Sequence, residues 1–127
     1  MHMPIQNRSD LYKMLAPLDN PGIIPQGVHD AKLIEVRQFS NSFGQRIGLV
    51  FEIVAGPYQG ATVMESAAFK ANPNPKSKLS ELLRGMGAKD CDLLAAHDMI
   101  GHECKIAVRH EQNRSGKAYA AIVQTFP

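Results

Sequence analysis

From Gly27 onward the chain is built of short runs in which apolar and polar residues alternate, the period of half-buried strands. The clearest run is Arg46 to Val54. Ile47, Leu49, Phe51 and Ile53 fall on one face, and Arg46, Gly48, Val50 and Glu52 on the other. Upstream, Val28 to Phe39 alternates through Ala31 and Leu33 and then shifts phase at Ile34 and Val36. A β-bulge inserts one residue and bends a strand, so the shift predicts a long, bent first strand. The polar loop Ser40-Asn41-Ser42-Phe43-Gly44-Gln45 joins the two runs as an antiparallel hairpin. Gly56-Pro57-Tyr58-Gln59-Gly60 is a tight connection with turn residues at both ends. A third strand follows over Ala61 to Phe69, where Thr62, Val63, Met64 and Phe69 favour extended backbone.

The period changes after Asn72. Leu79, Leu82, Leu83 and Met86 fall at i, i+3, i+4 and i+7, the stripe of an amphipathic helix. Asn74 is the expected N-cap, with Pro75 at the first helical position, and Gly85 and Gly87 supply the stop. A second short helix is expected over Asp92 to Asp98, capped by Asp90, with Leu93 and Leu94 as its buried side. Alternation resumes at Glu103 to His110, with Cys104, Ile106 and Val108 inward and Lys105, Ala107 and Arg109 outward. A polar loop, Glu111 to Lys117, leads into a last strand over Ala118 to Phe126.

The order β-β-β-α-β-β, with a bent first strand and one or two short helices, predicts an all-β domain. Its expected architecture is a five-stranded OB-fold barrel, in which closure removes the exposed edges of an open sheet. An SH3-like barrel is the nearest rival and normally lacks a helix of this length at this place. The expected domain spans residues 27–127. Residues 1–26 read as an N-terminal arm: they hold Pro4, Pro17, Pro21 and Pro25, four of the eight prolines, and little periodicity. Within the arm, Asp10 to Ala16 has the pattern of a short helix capped by Asp10.

Composition narrows the class. With 127 residues, 44% hydrophobic, the chain is one ordinary globular domain. Two cysteines build no disulfide scaffold. No apolar run approaches the length of a membrane span and no secretory signal stands in Met1 to Asp10, so a soluble intracellular protein is expected. The net charge is only +2, but its sign alternates along the second half. Lys70, Lys76, Lys78, Arg84 and Lys89 are followed by Asp90, Asp92, Asp98 and Glu103, and then by Lys105, Arg109, Arg114 and Lys117. Such blocks are either scattered solvated charge or one basic side of a polarised surface.

Catalytic signatures are missing from the sequence. It has no nucleophile elbow, phosphate loop, zinc-protease helix or dinucleotide fingerprint, and no acidic pair set in apolar walls, so a non-enzyme is expected. No cofactor is implied. Cys91, His97, His102, Cys104 and His110 are all zinc-ligand types, but they lack the close-pair spacing of structural sites. They are expected to be core cysteines flanked by surface histidines, with no metal.

A different chemistry gathers around the two hairpin loops. OB folds bind oligonucleotides on the face of strands two and three, between the first and last hairpin loops. The first loop offers Phe39 and Phe43, with Arg46 at its exit; the last offers Arg109, Arg114 and Lys117, with Tyr119 at its exit. Phe69 and Lys70 add an aromatic–basic pair at the end of the third strand, and Lys105 adds charge on the fourth. Aromatic rings stack on unpaired bases while Lys and Arg follow phosphates. These ten residues are the expected nucleic-acid-binding set. Phe43, between Ser42 and Gly44, is hard to bury and is the foremost stacking candidate, whereas Phe39 also suits the edge of the core.

Several turns and strands also resemble a known group. The run Phe51-Glu52-Ile53 before Gly56-Pro57-Tyr58-Gln59-Gly60, Ile100-Gly101 leading into Cys104 to Val108, Pro25-Gln26-Gly27 ahead of the first strand, and Ser42-Phe43-Gly44 look like small phage and prophage OB-fold single-stranded DNA-binding proteins. The resemblance covers about residues 25–127. It implies single-stranded DNA as partner, a role in replication or recombination alongside other proteins of those processes, and a cytoplasmic setting in a bacterial or phage-infected cell. Self-association as a dimer or higher assembly is also expected. The C-terminal Thr125-Phe126-Pro127 carries no acidic tail, so recruitment of partners through such a tail is not expected. The rival from another class is a phage structural or interaction module on a small β-barrel.

Overall fold

The computed structural model describes residues 23–69 and 76–127. Within them the chain forms five strands, β1 (Gly27–Asn41), β2 (Gly44–Ile53), β3 (Thr62–Ala68), β4 (Glu103–Gln112) and β5 (Ala118–Phe126). Two short helices, α1 (Lys78–Gly85) and α2 (Leu93–Asp98), lie between β3 and β4. The expected helix over residues 10–16, most of the N-terminal arm, and Lys70 with Asn74 and Pro75 lie outside the described residues.

All five strands make one sheet in the order β3-β2-β1-β4-β5, and every ladder is antiparallel. The phase shift in the first strand has the physical cause its pattern suggests. Leu33 pairs with Phe51 and Glu35 with Val50, so Ile34 is the extra residue of a bulge. The bulge keeps Ala31 and Leu33 on the buried face before it and turns Val36, paired with Leu49, to the same face after it. A second irregularity, between Ala107 and Val108, leaves Val123 extra on β5. The two outermost strands, β3 and β5, share no ladder among the described residues. One side chain ties them together: Glu65 on β3 accepts the Ile122 N–H of β5 at 2.7 Å through Oε1, and its Oε2 accepts Lys78 Nζ from α1.

The inward faces form one core. Leu33, Ile47, Leu49, Phe51, Ile53, Ile106 and Ile122 have almost no exposed surface. Removing a side chain of the size of Phe51 from such a core costs about 3–5 kcal/mol. Ile24, ahead of β1, is also fully buried, and the carbonyls beside it are held by two imidazoles. His110 bonds the Ile24 carbonyl and His29 the Pro25 carbonyl, both at 2.7 Å through Nε2.

Both helix starts differ from the sequence expectation in which residue caps them. The cap of α1 is Ser77, whose Oγ accepts the Ser80 N–H at 3.2 Å, rather than Asn74. The cap of α2 is Asp92, whose Oδ1 accepts the Ala95 N–H at 2.8 Å, rather than Asp90. In each case the side-chain oxygen reaches the free N–H three residues on, which fixes the cap. The end of α1 is a Schellman closure on Gly87 at φ 100°: Ala88 N–H bonds Leu83 O and Gly87 N–H bonds Arg84 O. The buried side of α2 is Ala96, with Leu93 partly covered; Leu94 is 69% exposed, contrary to the expectation that both leucines are buried. A six-residue helix turns too few residues inward to bury both.

The stripe Leu79, Leu82, Leu83 and Met86 seats α1 on the core, in contact with β3 and β5. Close approach is possible because residue 85 is glycine. A Cβ there would lie 2.1 Å from Thr125 Oγ1 and 2.5 Å from the Thr125 carbonyl oxygen. Thr125 Oγ1 in turn donates to Leu82 O at 2.6 Å, tying β5 to the helix.

Candidate nucleic-acid interface

The β1–β2 hairpin turns on Ser42 and Phe43, with Asn41 opposite Gly44. Asn41 Oδ1 accepts the Phe43 N–H at 2.9 Å, and Gly44 takes φ 110°, a conformation costly for residues with a Cβ. The turn therefore presents Phe43 at its apex, 74% exposed. The β4–β5 loop is organised in the same manner by Asn113. Its Oδ1 accepts the backbone N–H groups of Ser115 and Lys117, each at 3.0 Å, and the Ser115 hydroxyl at 2.8 Å. Arg114 and Lys117 project from this braced loop and are exposed.

The two tips meet. The Arg114 guanidinium carbon lies 5.8 Å from the centroid of the Phe43 ring, a cation–π distance. On a flat sheet this contact is impossible. β1 and β4 run antiparallel with Gly27 opposite Val108, so Phe43 and Arg114 lie beyond opposite ends of that ladder. Laid flat they are separated by about 22 residues, or roughly 70 Å at a strand's rise. The contact thus measures how strongly the bulged sheet coils.

The outer face of β1, β2 and β3 holds a second group. Phe39 stands opposite Arg46, and Arg46 opposite Ala68. Phe39 and the Met64 side chain close over Gly48, where a Cβ would lie 2.7 Å from Met64 Sδ and 3.4 Å from the Phe39 ring. Arg46 Nη2 donates to Ser66 Oγ at 3.1 Å, while its Nε is buried with no acceptor among the described residues. Phe69, half-buried against the core, joins this end of the sheet through its N–H on the Gln45 carbonyl.

Other expected residues lie elsewhere or are engaged. Lys105 pairs in register with Asp30, nine residues along the chain from Arg114 and near the far end of β4. Arg109 donates to Glu111 through Nη2 at 2.7 Å, and Tyr119 OH donates to the same carboxylate at 3.2 Å. The Arg109 hydrogen bond is the main cause that holds the Glu111 carboxyl below its ordinary range, while desolvation first, and then Glu111, raise the Tyr119 phenol. Arg109 and Glu111 line a groove of about 530 Å³ between α1 and β5, beside Lys78 and Val123. Their charges offset each other there, so this pair adds little cationic field to the hairpin tips. Sequence reading missed Met64, Ser66 and Glu65. The alternation of β3 places Met64 and Ser66 opposite Val50 and Gly48, a signal that pairing with β2 makes visible.

Among the described residues no three His, Cys, Asp or Glu side chains converge as metal ligands, and no helix is long and apolar enough to cross a membrane. No protein-family profile matches the chain, and no curated protein matches it.

Proposed function

We propose that this domain is an OB-fold protein that binds single-stranded DNA without catalysis, in phage-type replication or recombination. The observation that carries the reading is the convergence of the two hairpin tips, which joins an exposed aromatic ring to a guanidinium, with Lys117 exposed on the same loop as Arg114. The strand order, the bulged first strand and the helix between β3 and β4 support the OB assignment. Glu65, bridging β3 to β5, supports reading the sheet as a barrel whose last seam is closed by a side chain.

In this reading Arg114 and Lys117 follow phosphates, and Phe43 stacks on a base, with Phe39 and Met64 as a further apolar platform. A net charge of +2 gives each domain a modest electrostatic pull. A homo-oligomer, in which one strand engages several domains, compensates for it.

Fluorescence-anisotropy titration with single-stranded and duplex oligonucleotides across a salt series tests the proposal. Binding of the single strand at low salt, weakening as salt rises, is expected. Phe43→Ala and Arg114→Ala should each weaken it about tenfold, as loss of a stacked base or a phosphate contact does, with the thermal melt unchanged. Affinity no greater than that of a neutral control protein, or equal affinity for duplex, would overturn it.

A further inference from the structure

The contact between Phe43 and Arg114 sets a limit on what enters. Resting on the single-strand reading above, we propose that this pair is a one-base sandwich, in which an unpaired nucleobase inserts as a middle layer between the Phe43 ring and the Arg114 guanidinium. The two walls are already neighbours. The guanidinium carbon is 5.8 Å from the ring centroid, and three stacked planar groups need about 7 Å between the outer two, at contact distances near 3.5 Å. With the two planes turned parallel and face to face, widening the separation by about 1 Å admits a base, a movement within the reach of an arginine side chain.

Both backbones are held while the side chains move. Phe43 N–H is fixed by Asn41, and the loop carrying Arg114 is fixed by three hydrogen bonds to Asn113 Oδ1. Arginine suits the outer layer because its planar guanidinium stacks on a π-face and keeps edge N–H donors for the adjoining phosphate. The ligand class follows from the shape of the gap. A base inside a duplex is covered on both faces and has no free face for either wall, whereas an unpaired base has two. A phosphate alone satisfies Arg114 but gives Phe43 nothing. Selectivity for unpaired strands therefore arises chiefly at this pair, and the cationic groups elsewhere supply attraction that duplex shares.

The chain contains no Trp, so Phe43→Trp installs a single indole reporter at the sandwich. The probes are an oligothymidylate and an oligonucleotide of equal length and phosphate number whose bases are replaced by abasic sites. The expected result is quenching of the indole by oligothymidylate, little quenching by the abasic strand, and about tenfold weaker binding of the abasic strand. Arg114→Lys, which keeps the charge but loses the plane, should shrink that difference in the same background. Equal affinity and equal quenching with both strands would overturn the sandwich and leave phosphate binding intact. Failure of the wild-type chain to bind either strand would remove the single-strand reading and the sandwich together. Binding of an aromatic-rich peptide with the same quenching, and no quenching by oligothymidylate, would overturn the sandwich in favour of a protein partner.

Discussion

Cys104 shows how a single residue records its surroundings. It lies on the inward face of β4, buried opposite Ala31, and burial pushes its thiol from 9.0 up to about 11. The folded value exceeds the unfolded one, so the thiol's contribution to stability is intact below pH 9. It is lost as pH rises toward 11, because only the unfolded chain ionises freely in that window. Urea midpoints measured at pH 8.5 and 10.5 should therefore fall further for the wild type than for Cys104→Ala; equal falls would show that the buried thiol does not contribute. Its inward position was legible in the sequence from the alternation of Cys104, Ile106 and Val108 with Lys105 and Ala107, since the period of two is a property of the backbone alone. The exposure of Phe43 was legible for a similarly local reason, because a ring between Ser42 and Gly44 in a two-residue turn has no core to reach. Its partner was not, because Arg114 lies far away in sequence and only the coiling of the sheet brings it near.

At the scale of elements, local patterns located every described strand and both helices, but not how the helices begin. Ser77 and Asp92 cap their helices because their oxygens reach a free N–H three residues ahead, a geometry that composition alone does not single out. Glu65 was illegible for the opposite reason. A carboxylate between Val63 and Ala67 reads as a flaw in a strand, and the groups that satisfy it, Ile122 N–H and Lys78 Nζ, come from other elements. The two features differ in what they hold. Ser77→Ala removes one cap and should cost about 1 kcal/mol. Glu65→Ala leaves a buried N–H without its partner and should cost about 1–3 kcal/mol. Because Glu65 is also the bridge from β3 to β5, its loss should raise amide exchange in β5 around Ile122, whereas loss of the cap should raise exchange only in α1. Native-state hydrogen exchange distinguishes them, and equal exchange of β5 in both variants would contradict the bridging role.

For the whole molecule, the proposed function rests on curvature. The bulge at Ile34, the extra residue at Val123, the carboxylate bridge and the seat of α1 on β3 and β5 all act to roll one antiparallel sheet until hairpins from distant parts of the chain touch. The shape gives a net charge of +2 a local focus, since Arg114 stands beside an exposed ring, on a loop that also exposes Lys117, while Arg109 is offset by Glu111. Spin labels placed on Ser42→Cys and Ser115→Cys, with Cys91→Ser and Cys104→Ala removing the native thiols, measure that curvature through their dipolar coupling in solution. A single short separation is expected, less than half of the roughly 70 Å that an uncoiled ladder would impose at its ordinary rise per residue. A broad or long separation would show that the tips do not meet, and would leave both the proposed strand-binding site and the proposed base sandwich without a structure to form them.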